Sequence, residues 1–218
     1  MIDIIRLKSR ESWEQKCYGE IKKLLVSSSS KINIALSGGS TPVNIYRRVG
    51  ELLKTFSPER QENIRFFVVD ERNVPLNSIR SNSRMIMETI GHKLVVPFDP
   101  TLQSAKDYWS QILRRLEGKD NFDLVVLGCG EDGHTASLFP NTALLNHNSR
   151  DFLSNELPSG ELRFSMTYPL ILNASNRLIF VDNNKAKWGY FKSESTQIGD
   201  APIHRIFHAQ QTKAIIHE

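Results

Sequence analysis

The chain has 218 residues, of which 39% are hydrophobic and 24% are charged, and its formal net charge is +4 at pH 7. These values are typical of a globular protein and exclude a fibrous or disordered chain; we expect one α/β domain over residues 1–218. No basic block interleaved with aromatic residues occurs, so no nucleic-acid partner is expected. No apolar run is long enough to span a bilayer and the first residues lack a signal-peptide core, so no membrane contact is expected. Cys17 and Cys129 make no disulfide framework, which favours a reducing compartment, and we expect a cytoplasmic protein.

Predicted strands and helices alternate along the chain. Helices are expected after a Ser9 cap, from Pro42 with Ser40 or Thr41 as cap, and over 85–90, 105–116 and 186–191. Residues 141–160 are predicted as loop or short helix. Strands are expected over 2–7, 32–36, 64–69, 122–127, 163–168, 177–181 and 213–217. This alternation predicts a parallel or mostly parallel sheet with helices on both faces.

The first unusual loop follows the strand predicted at 32–36. It reads Ser37, Gly38, Gly39, Ser40 and Thr41, and a helix follows it. Glycines let a ligand approach the backbone, and hydroxyls beside a helix N-terminus favour phosphate. The loop lacks the Gly-Lys-Ser/Thr of a Walker A motif and the Gly-x-Ser-x-Gly of a nucleophile elbow. The alternative interpretation is a tight turn with an ordinary helix cap.

The second loop, expected after the strand at 64–69, begins with Asp70, Glu71 and Arg72. The planar guanidinium of arginine suits phosphate or carboxylate ligands. A cluster of surface ion pairs is the alternative interpretation of the same residues.

The third loop follows the apolar run at 122–127 and carries three glycines, Asp132 and His134. A histidine titrates near neutral pH and can serve as a general base, and a nearby carboxylate can orient it. Because parallel strands bring such loops to one edge of a sheet, this position favours catalysis. The alternative is a histidine that only satisfies the loop backbone.

Three further patterns are weighed and set aside, so no cofactor and no metal are expected. The spacing of Gly128, Gly130 and Gly133 matches the dinucleotide fingerprint, but Pro140 interrupts the helix that this fingerprint requires. Cys129 has no histidine spaced to activate it and is interpreted as a packed residue. His204 and His208 have the spacing of a zinc pair, but no further ligand completes the set.

The ordered set of motifs resembles the 6-phosphogluconolactonase family over nearly the whole chain. The matching segments are residues 37–42, residues 70–75 with Ser81 and Asn82, residues 128–140, and residues 163–167 followed by Asn173-Ala174. The resemblance implies a modified Rossmann-like sheet shared with glucosamine-6-phosphate deaminases. It also implies hydrolysis of 6-phospho-D-glucono-1,5-lactone to 6-phosphogluconate, a step of the oxidative pentose phosphate pathway, without metal or nucleotide.

The resemblance also implies roles for individual residues. His134 would take a proton from water, Asp132 would orient His134, and backbone N–H groups of the glycine loops would stabilise the oxyanion. Asp182-Asn183-Asn184 stands before Lys185, where the family often has a glycine. The partner would be a small sugar-phosphate lactone, and the protein a monomer or weak homo-oligomer. The substrate-binding residues would be Ser37, Gly38, Gly39, Ser40, Thr41, Asp70, Arg72, Ser81, Asn82, Gly130, Arg163 and Lys185.

Two alternative functions are open at this point. An isomerase or deaminase of 6-phospho amino sugars would use Asp70 to shuttle a proton, but its motif carries a second acid just before the proline. Phe139 stands at that place here, and a phenyl ring cannot relay protons. A non-catalytic sugar-phosphate sensor would use the anion site alone and would leave Asp132 and His134 without a role.

Overall fold

The computed structural model describes residues 3–191 and 201–218, and ten strands in these ranges form two sheets. The strands are β1 (Asp3–Leu7), β2 (Ile32–Leu36), β3 (Ile64–Val68), β4 (Asp70–Arg72), β5 (Val95–Val96), β6 (Leu124–Leu127), β7 (Phe152–Glu156), β8 (Leu162–Met166), β9 (Arg177–Val181) and β10 (Thr212–His217). The central sheet has seven parallel strands in the order β1-β10-β9-β6-β2-β3-β5. The second sheet is antiparallel and has the order β4-β8-β7.

Eight α-helices connect these strands in the described ranges. They are α1 (Arg10–Ser27), α2 (Val43–Lys54), α3 (Pro58–Glu62), α4 (Asn82–Ile90), α5 (Ala105–Leu116), α6 (Tyr168–Leu172), α7 (Lys185–Trp188) and α8 (Pro202–Phe207). The Ser9 cap is confirmed, since the Ser9 side chain accepts a hydrogen bond from the Ser12 N–H. The prediction that Ser40 or Thr41 caps α2 is wrong: Pro42 is the N-cap residue, and no side chain caps this helix.

The core lies on both faces of the central sheet. Every residue of β2, β6 and β9 is buried, which is typical of parallel strands covered by helices on both sides. α2 contributes Ile45, Val49 and Leu53 to this core. The predicted mostly parallel sheet with helices is therefore confirmed.

The second sheet differs from the sequence-based prediction. Residues 141–160 were expected as loop or short helix, but Phe152–Glu156 form β7. Asp70–Arg72, expected as a loop, form the short strand β4, and the strand expected over 163–168 ends at Met166. These strands pair with one another and not with the central sheet, so their conformation depends on contacts between distant segments. Ile2, the first residue of the strand expected over 2–7, lies outside the described residues.

The carboxyl ends of the central strands bring the three loops together. The Ser37 N–H donates to the Val126 carbonyl at 3.0 Å, and the Val69 N–H donates to the Leu36 carbonyl at 3.0 Å. These bonds continue the parallel ladders beyond the ends of β2 and β3. The loops that follow β2, β3 and β6 therefore begin side by side at one edge of the sheet.

Candidate active site

A cavity of about 370 Å³ opens at this edge of the sheet. Its volume is within the range of small-molecule sites. Ten of the residues expected in the site line it. They come from the loops after β2 and β6, from β4 and β8, and from the start of α4: Ser37, Gly38, Gly39, Thr41, Asp70, Arg72, Asn82, Gly130, His134 and Arg163. Phe139 and Lys187 also line the cavity.

Four expected site residues are not part of the cavity wall. Ser40 is exposed at the start of the turn into α2, and Asp132 lies behind His134. Ser81 is buried and accepts a hydrogen bond from the Arg84 N–H as the N-cap of α4, so its hydroxyl has a structural partner. Lys185 is exposed, and the cavity is lined by Lys187, one half-turn further along α7.

His134 and Asp132 form a short hydrogen-bonded pair. The Nδ1 of His134 lies 2.5 Å from Oδ1 of Asp132, and the same oxygen accepts the main-chain N–H of His134 at 3.1 Å. The imidazole also stacks on Phe139, with ring centroids 4.0 Å apart and an angle of 23° between the planes. Because the carboxylate occupies Nδ1, the ring is held in one orientation and Nε2 is left for proton transfer.

Gly130 provides the space in which the imidazole sits. A Cβ atom built on Gly130 would lie 2.2 Å from both Nδ1 and Cε1 of His134, so a larger residue would force the imidazole out of this position. The Gly130 N–H donates to the His134 carbonyl at 2.8 Å, and the Gly133 N–H donates to the Gly130 carbonyl at 3.2 Å. The expectation that N–H groups of this loop stabilise an oxyanion is therefore wrong for these two glycines, since both donors are used inside the loop.

Asp70 places a buried carboxylate on the cavity wall. Its Oδ2 accepts the Ser137 hydroxyl at 3.0 Å, and its main-chain carbonyl accepts the Asn82 Nδ2 at 2.7 Å. Burial raises the pKa of Asp70, while the positive charges of Arg72 and Arg163 act in the opposite direction. Asp70 is therefore a hydrogen-bond acceptor held in a fixed position beside the cavity.

Glu71 has a structural role and not the surface role considered above. It is fully buried, and its two carboxylate oxygens accept the N–H groups of Asn82 and Ser83 at 2.8 and 2.7 Å and the Ser81 hydroxyl at 3.0 Å. Burial raises the pKa of Glu71, and these hydrogen bonds oppose the shift. A carboxylate at the N-terminus of α4 satisfies N–H groups that have no partner inside the helix. Glu71 thereby fixes the start of α4 beside Asp70.

Arg72 and Arg163 are direct cross-strand partners in the second sheet, and both line the cavity. Arg72 donates from Nη1 to the Arg80 carbonyl at 2.7 Å, and Arg163 donates from Nη2 to Glu161 at 3.0 Å. The Nε atoms of both arginines are buried and have no hydrogen-bond partner in the described chain. Like charges directly opposite each other destabilise a sheet, so this pair indicates a site for an anionic ligand.

The loop after β2 has the backbone geometry of an anion site. Gly39 has a φ of +94°, which favours glycine, and a Cβ on Gly38 would lie 1.9 Å from Oδ1 of Asn82. Within the described ranges, the main-chain N–H groups of residues 38–41 donate to no other residue. The Ser37 hydroxyl is buried and also has no hydrogen-bond partner there. Unpaired donors at the N-terminus of a helix are a site for phosphate or carboxylate.

Several residues of the site were missed by sequence reasoning. Ser137, which orients Asp70, lies within the motif at 128–140 but was given no role, and Lys187, which lines the cavity, stands outside the quoted motifs. Of the residues set aside, Cys129 is buried, and burial raises the pKa of its thiol to about 12. The His204 and His208 rings are 6.0 Å apart between centroids, and no group of three metal-ligating side chains occurs among the described residues. The structure also contains no helix, in the part described, that could span a membrane.

The fold and the site together define an α/β protein with a His–Asp pair beside a cavity that two arginines and a lysine line. Residues 10–216 match the sequence model of the family Glucosamine-6-phosphate isomerases/6-phosphogluconolactonase, and the chain belongs to this family.

Relatives named 6-phosphogluconolactonase agree with this membership. The chain is 33% identical to 6-phosphogluconolactonase from Thermotoga maritima over 184 residues, which covers 79% of this chain and 78% of the relative. It is 29% identical to the probable 6-phosphogluconolactonase of Dictyostelium discoideum, with coverage of 100% and 98%. The solved structure of 6-phosphogluconolactonase from Trypanosoma cruzi superposes with a TM-score of 0.85 at 25% identity, and covers 100% of this chain and 94% of that one.

Proposed function

We propose that the protein hydrolyses 6-phospho-D-glucono-1,5-lactone to 6-phosphogluconate by general-base activation of water. The observation that carries this proposal is the His134–Asp132 pair, whose free Nε2 shares one cavity with Arg72 and Arg163. A base beside an anion site is what hydrolysis of a phosphorylated lactone requires. The family membership and the names of the relatives support the same reaction.

In the proposed reaction His134 transfers one proton in each direction. Its Nε2 removes a proton from water as the water oxygen bonds to C1 of the lactone, and the carbonyl electron pair moves to the oxygen of C1. The imidazolium that forms is stabilised by Asp132 at 2.5 Å. When the carbonyl re-forms, the bond from C1 to the ring oxygen breaks, and the ring oxygen takes the proton from His134. The product is the open-chain acid, and the base is regenerated.

Two anionic centres must be stabilised during this reaction, the phosphate and the oxyanion at C1. We place the phosphate at the N-terminus of α2, beside Ser40, Thr41 and the unpaired main-chain N–H groups of residues 38–41. Arg72 and Arg163 supply the additional positive charge that the two centres need. The proposed site omits Ser81, whose hydroxyl is used at the start of α4.

Asp70 and Asn82 are proposed to recognise the neutral part of the substrate. Asp70 has a second carboxylate oxygen beside the cavity and can accept a hydrogen bond from a sugar hydroxyl. Asn82 fixes Asp70 through the bond from its Nδ2 and also lines the cavity. A site built to bind hydroxyl groups discriminates strongly against analogues that lack them.

The isomerase or deaminase alternative is disfavoured by Phe139. The phenyl ring stacks on the catalytic imidazole at 4.0 Å, at the place where that reaction needs a second acid. A sensor without catalytic activity would have no use for the oriented His134. The lactonase therefore accounts for more of the site than either alternative.

The test is a coupled assay that follows 6-phosphogluconate formation from freshly prepared lactone, with the spontaneous rate subtracted. We expect His134→Ala to lower kcat by about 10²- to 10⁴-fold, because it removes the general base. The matched control is His92→Ala, since His92 is exposed and does not line the cavity. Near-full activity of His134→Ala, or faster turnover of glucosamine 6-phosphate than of the lactone by the unaltered protein, would contradict the proposal.

We also infer that the protein acts in the cytoplasm as a monomer or weak homo-oligomer. Two buried cysteines that form no disulfide agree with a reducing compartment. Light scattering coupled to gel filtration tests the oligomeric state, and a stable complex of two or more copies at micromolar concentration would contradict it.

A further inference from the structure

Tyr46 ties the first glycine loop to the helix that follows it. This tyrosine stands in the first turn of α2 and is fully buried, and its hydroxyl donates a hydrogen bond to the Ser37 carbonyl at 3.0 Å. Burial raises the pKa of Tyr46 well above its ordinary value, so the hydroxyl keeps its proton and acts as the donor. One hydrogen bond therefore fixes the end of β2 against the start of α2.

Ser37 is held at both of its main-chain polar groups. Its N–H donates to the Val126 carbonyl at 3.0 Å, and its carbonyl accepts the Tyr46 hydroxyl. Gly38 and Gly39 follow, and glycine is the residue whose backbone is least restricted. The two contacts of Ser37 therefore fix the chain directly before its most flexible part.

The Ser37 carbonyl and the Gly38 N–H belong to the same peptide unit. No peptide in the described part of the chain is cis, and a trans peptide is planar, with its C=O and N–H on opposite sides. Because the carbonyl points to Tyr46, the Gly38 N–H points away from Tyr46. Gly38 lines the cavity, and its N–H donates to no other main-chain group within residues 3–191 and 201–218. The hydrogen bond of Tyr46 thus sets the direction of a donor at the cavity wall.

We propose that Tyr46 is a positioning residue that holds the Gly38 N–H as a hydrogen-bond donor for the phosphate of the substrate. This role rests on the proposed binding of the phosphate beside residues 38–41. Without the hydroxyl, the Ser37 carbonyl would be buried and unpaired, which is unfavourable. Rotation of the peptide towards the cavity would bring this carbonyl to water, and the Gly38 N–H would then turn away from the phosphate.

The test is Tyr46→Phe, which removes the hydroxyl and keeps the ring. The dissociation constant of methyl phosphate is measured by calorimetry on the full chain, and kcat and KM are measured with the lactone in the coupled assay. Both the dissociation constant and KM should rise by about tenfold, because one hydrogen bond to a charged group is lost. The kcat should stay nearly unchanged, because this hydrogen bond is made equally in the ground state and the transition state.

Tyr108→Phe is the matched control. Tyr108 is also fully buried, and its hydroxyl donates to the Val96 carbonyl at 3.0 Å and accepts the Val68 N–H at 2.9 Å, but it does not line the cavity. Both variants lose buried hydrogen bonds, so Tm should fall in both. Only Tyr46→Phe should bind methyl phosphate more weakly.

A spectroscopic measurement reports on the Gly38 N–H directly. Its ¹H–¹⁵N resonance should shift when methyl phosphate is added to the unaltered protein or to Tyr108→Phe. The shift at saturation should be much smaller in Tyr46→Phe, because the N–H is no longer directed at the ligand. An equal shift in all three proteins would contradict the positioning role.

Other results would also overturn the role of Tyr46. Equal affinities of Tyr46→Phe and the unaltered protein would do so, and an equal loss of affinity in Tyr108→Phe would make the effect a consequence of lower stability. A lower kcat with an unchanged dissociation constant would show that the hydroxyl does not serve phosphate binding. No measurable binding of methyl phosphate to the unaltered protein would contradict both this role and the placement of the phosphate. Because binding is measured without turnover, a protein that shows the expected affinities but hydrolyses no lactone would contradict only the proposed reaction.

Discussion

Replacing Gly130 by alanine should displace the imidazole of His134, the proposed general base, while the fold remains intact. Gly130 has no positive φ, so alanine can adopt its backbone conformation without strain. The new Cβ would nevertheless lie 2.2 Å from Nδ1 and Cε1 of His134, whereas ordinary contacts begin at 3.4 Å. It would also lie 2.9 Å from Oδ1 of Asp132. The ring must therefore move by about 1 Å or rotate away from both Asp132 and Phe139.

The expected loss follows from the size of this displacement. A misplacement of about 1 Å costs about 10²-fold in rate, which corresponds to about 2.7 kcal/mol of transition-state stabilisation. Complete loss of the base sets an upper limit of about 10⁴-fold. The imidazole lies at the end of a side chain and can turn, so the stability cost should be about 1 kcal/mol, the cost of an unfavourable rotamer.

The assay measures kcat with the phosphorylated lactone and Tm by thermal unfolding. The control is Gly19→Ala in α1, where a Cβ meets nothing within 4 Å. This control should keep full activity and have a slightly higher Tm, since alanine favours a helix more than glycine does. A kcat of Gly130→Ala within threefold of the unaltered protein would refute the placement of His134 against Gly130.

Three further substitutions test other parts of the site. Asp132→Asn keeps the shape of the side chain but removes the charge that stabilises the imidazolium of His134. The kcat should therefore fall by about 10²-fold or more in the coupled assay. An unchanged kcat would contradict the stabilising role of Asp132. Arg163→Gln should raise KM for the phosphorylated lactone by about tenfold or more, because it removes a guanidinium that can bind an anion. Tm should not fall, because the substitution relieves the repulsion between Arg163 and Arg72. A lower Tm would show that the pair is not destabilising. Burial raises the pKa of Asp70 above its ordinary value of 3.8, so the native state binds the carboxyl proton more tightly than the unfolded chain does. The free energy of unfolding therefore falls as pH rises from the ordinary pKa of 3.8 to the raised pKa of the native state. Asp70→Asn should therefore have a higher Tm than the unaltered protein at pH 7, with the difference vanishing near pH 3.8, and a lower Tm at pH 7 would contradict this sign.

The parts of the fold that were predictable depend on short stretches of sequence. β2 and β9 have the bounds that their apolar runs predict. Ser9 caps α1 as predicted from its place just before the apolar residues that recur every three or four positions in this helix. Periodicity and caps are local, because they involve residues within a few positions of one another. The same holds for the glycine loop around His134, where Asp132 is only two residues away.

The errors lie where distant segments meet. β4 has three polar residues and no strand signal of its own, and it is a strand because β8 pairs with it. The sequence allowed Glu71 to be a surface residue, yet its carboxylate accepts the main-chain N–H of Asn82, eleven residues further on, at the start of α4. Lys185 and Lys187 carry the same charge, and in the folded chain Lys187 contacts Asp182 and lines the cavity whereas Lys185 is exposed.

By itself, the sequence determined the alternating elements, the loops that carry the chemistry and the pairing of His134 with Asp132. The tertiary structure alone decided that Arg72 lies opposite Arg163 and that Asp182 accepts hydrogen bonds from both Lys187 and Thr41. The physical reason is that periodicity, capping and turn preference act over a few residues. Hydrogen bonds and charge pairs between remote segments form only when the whole chain packs.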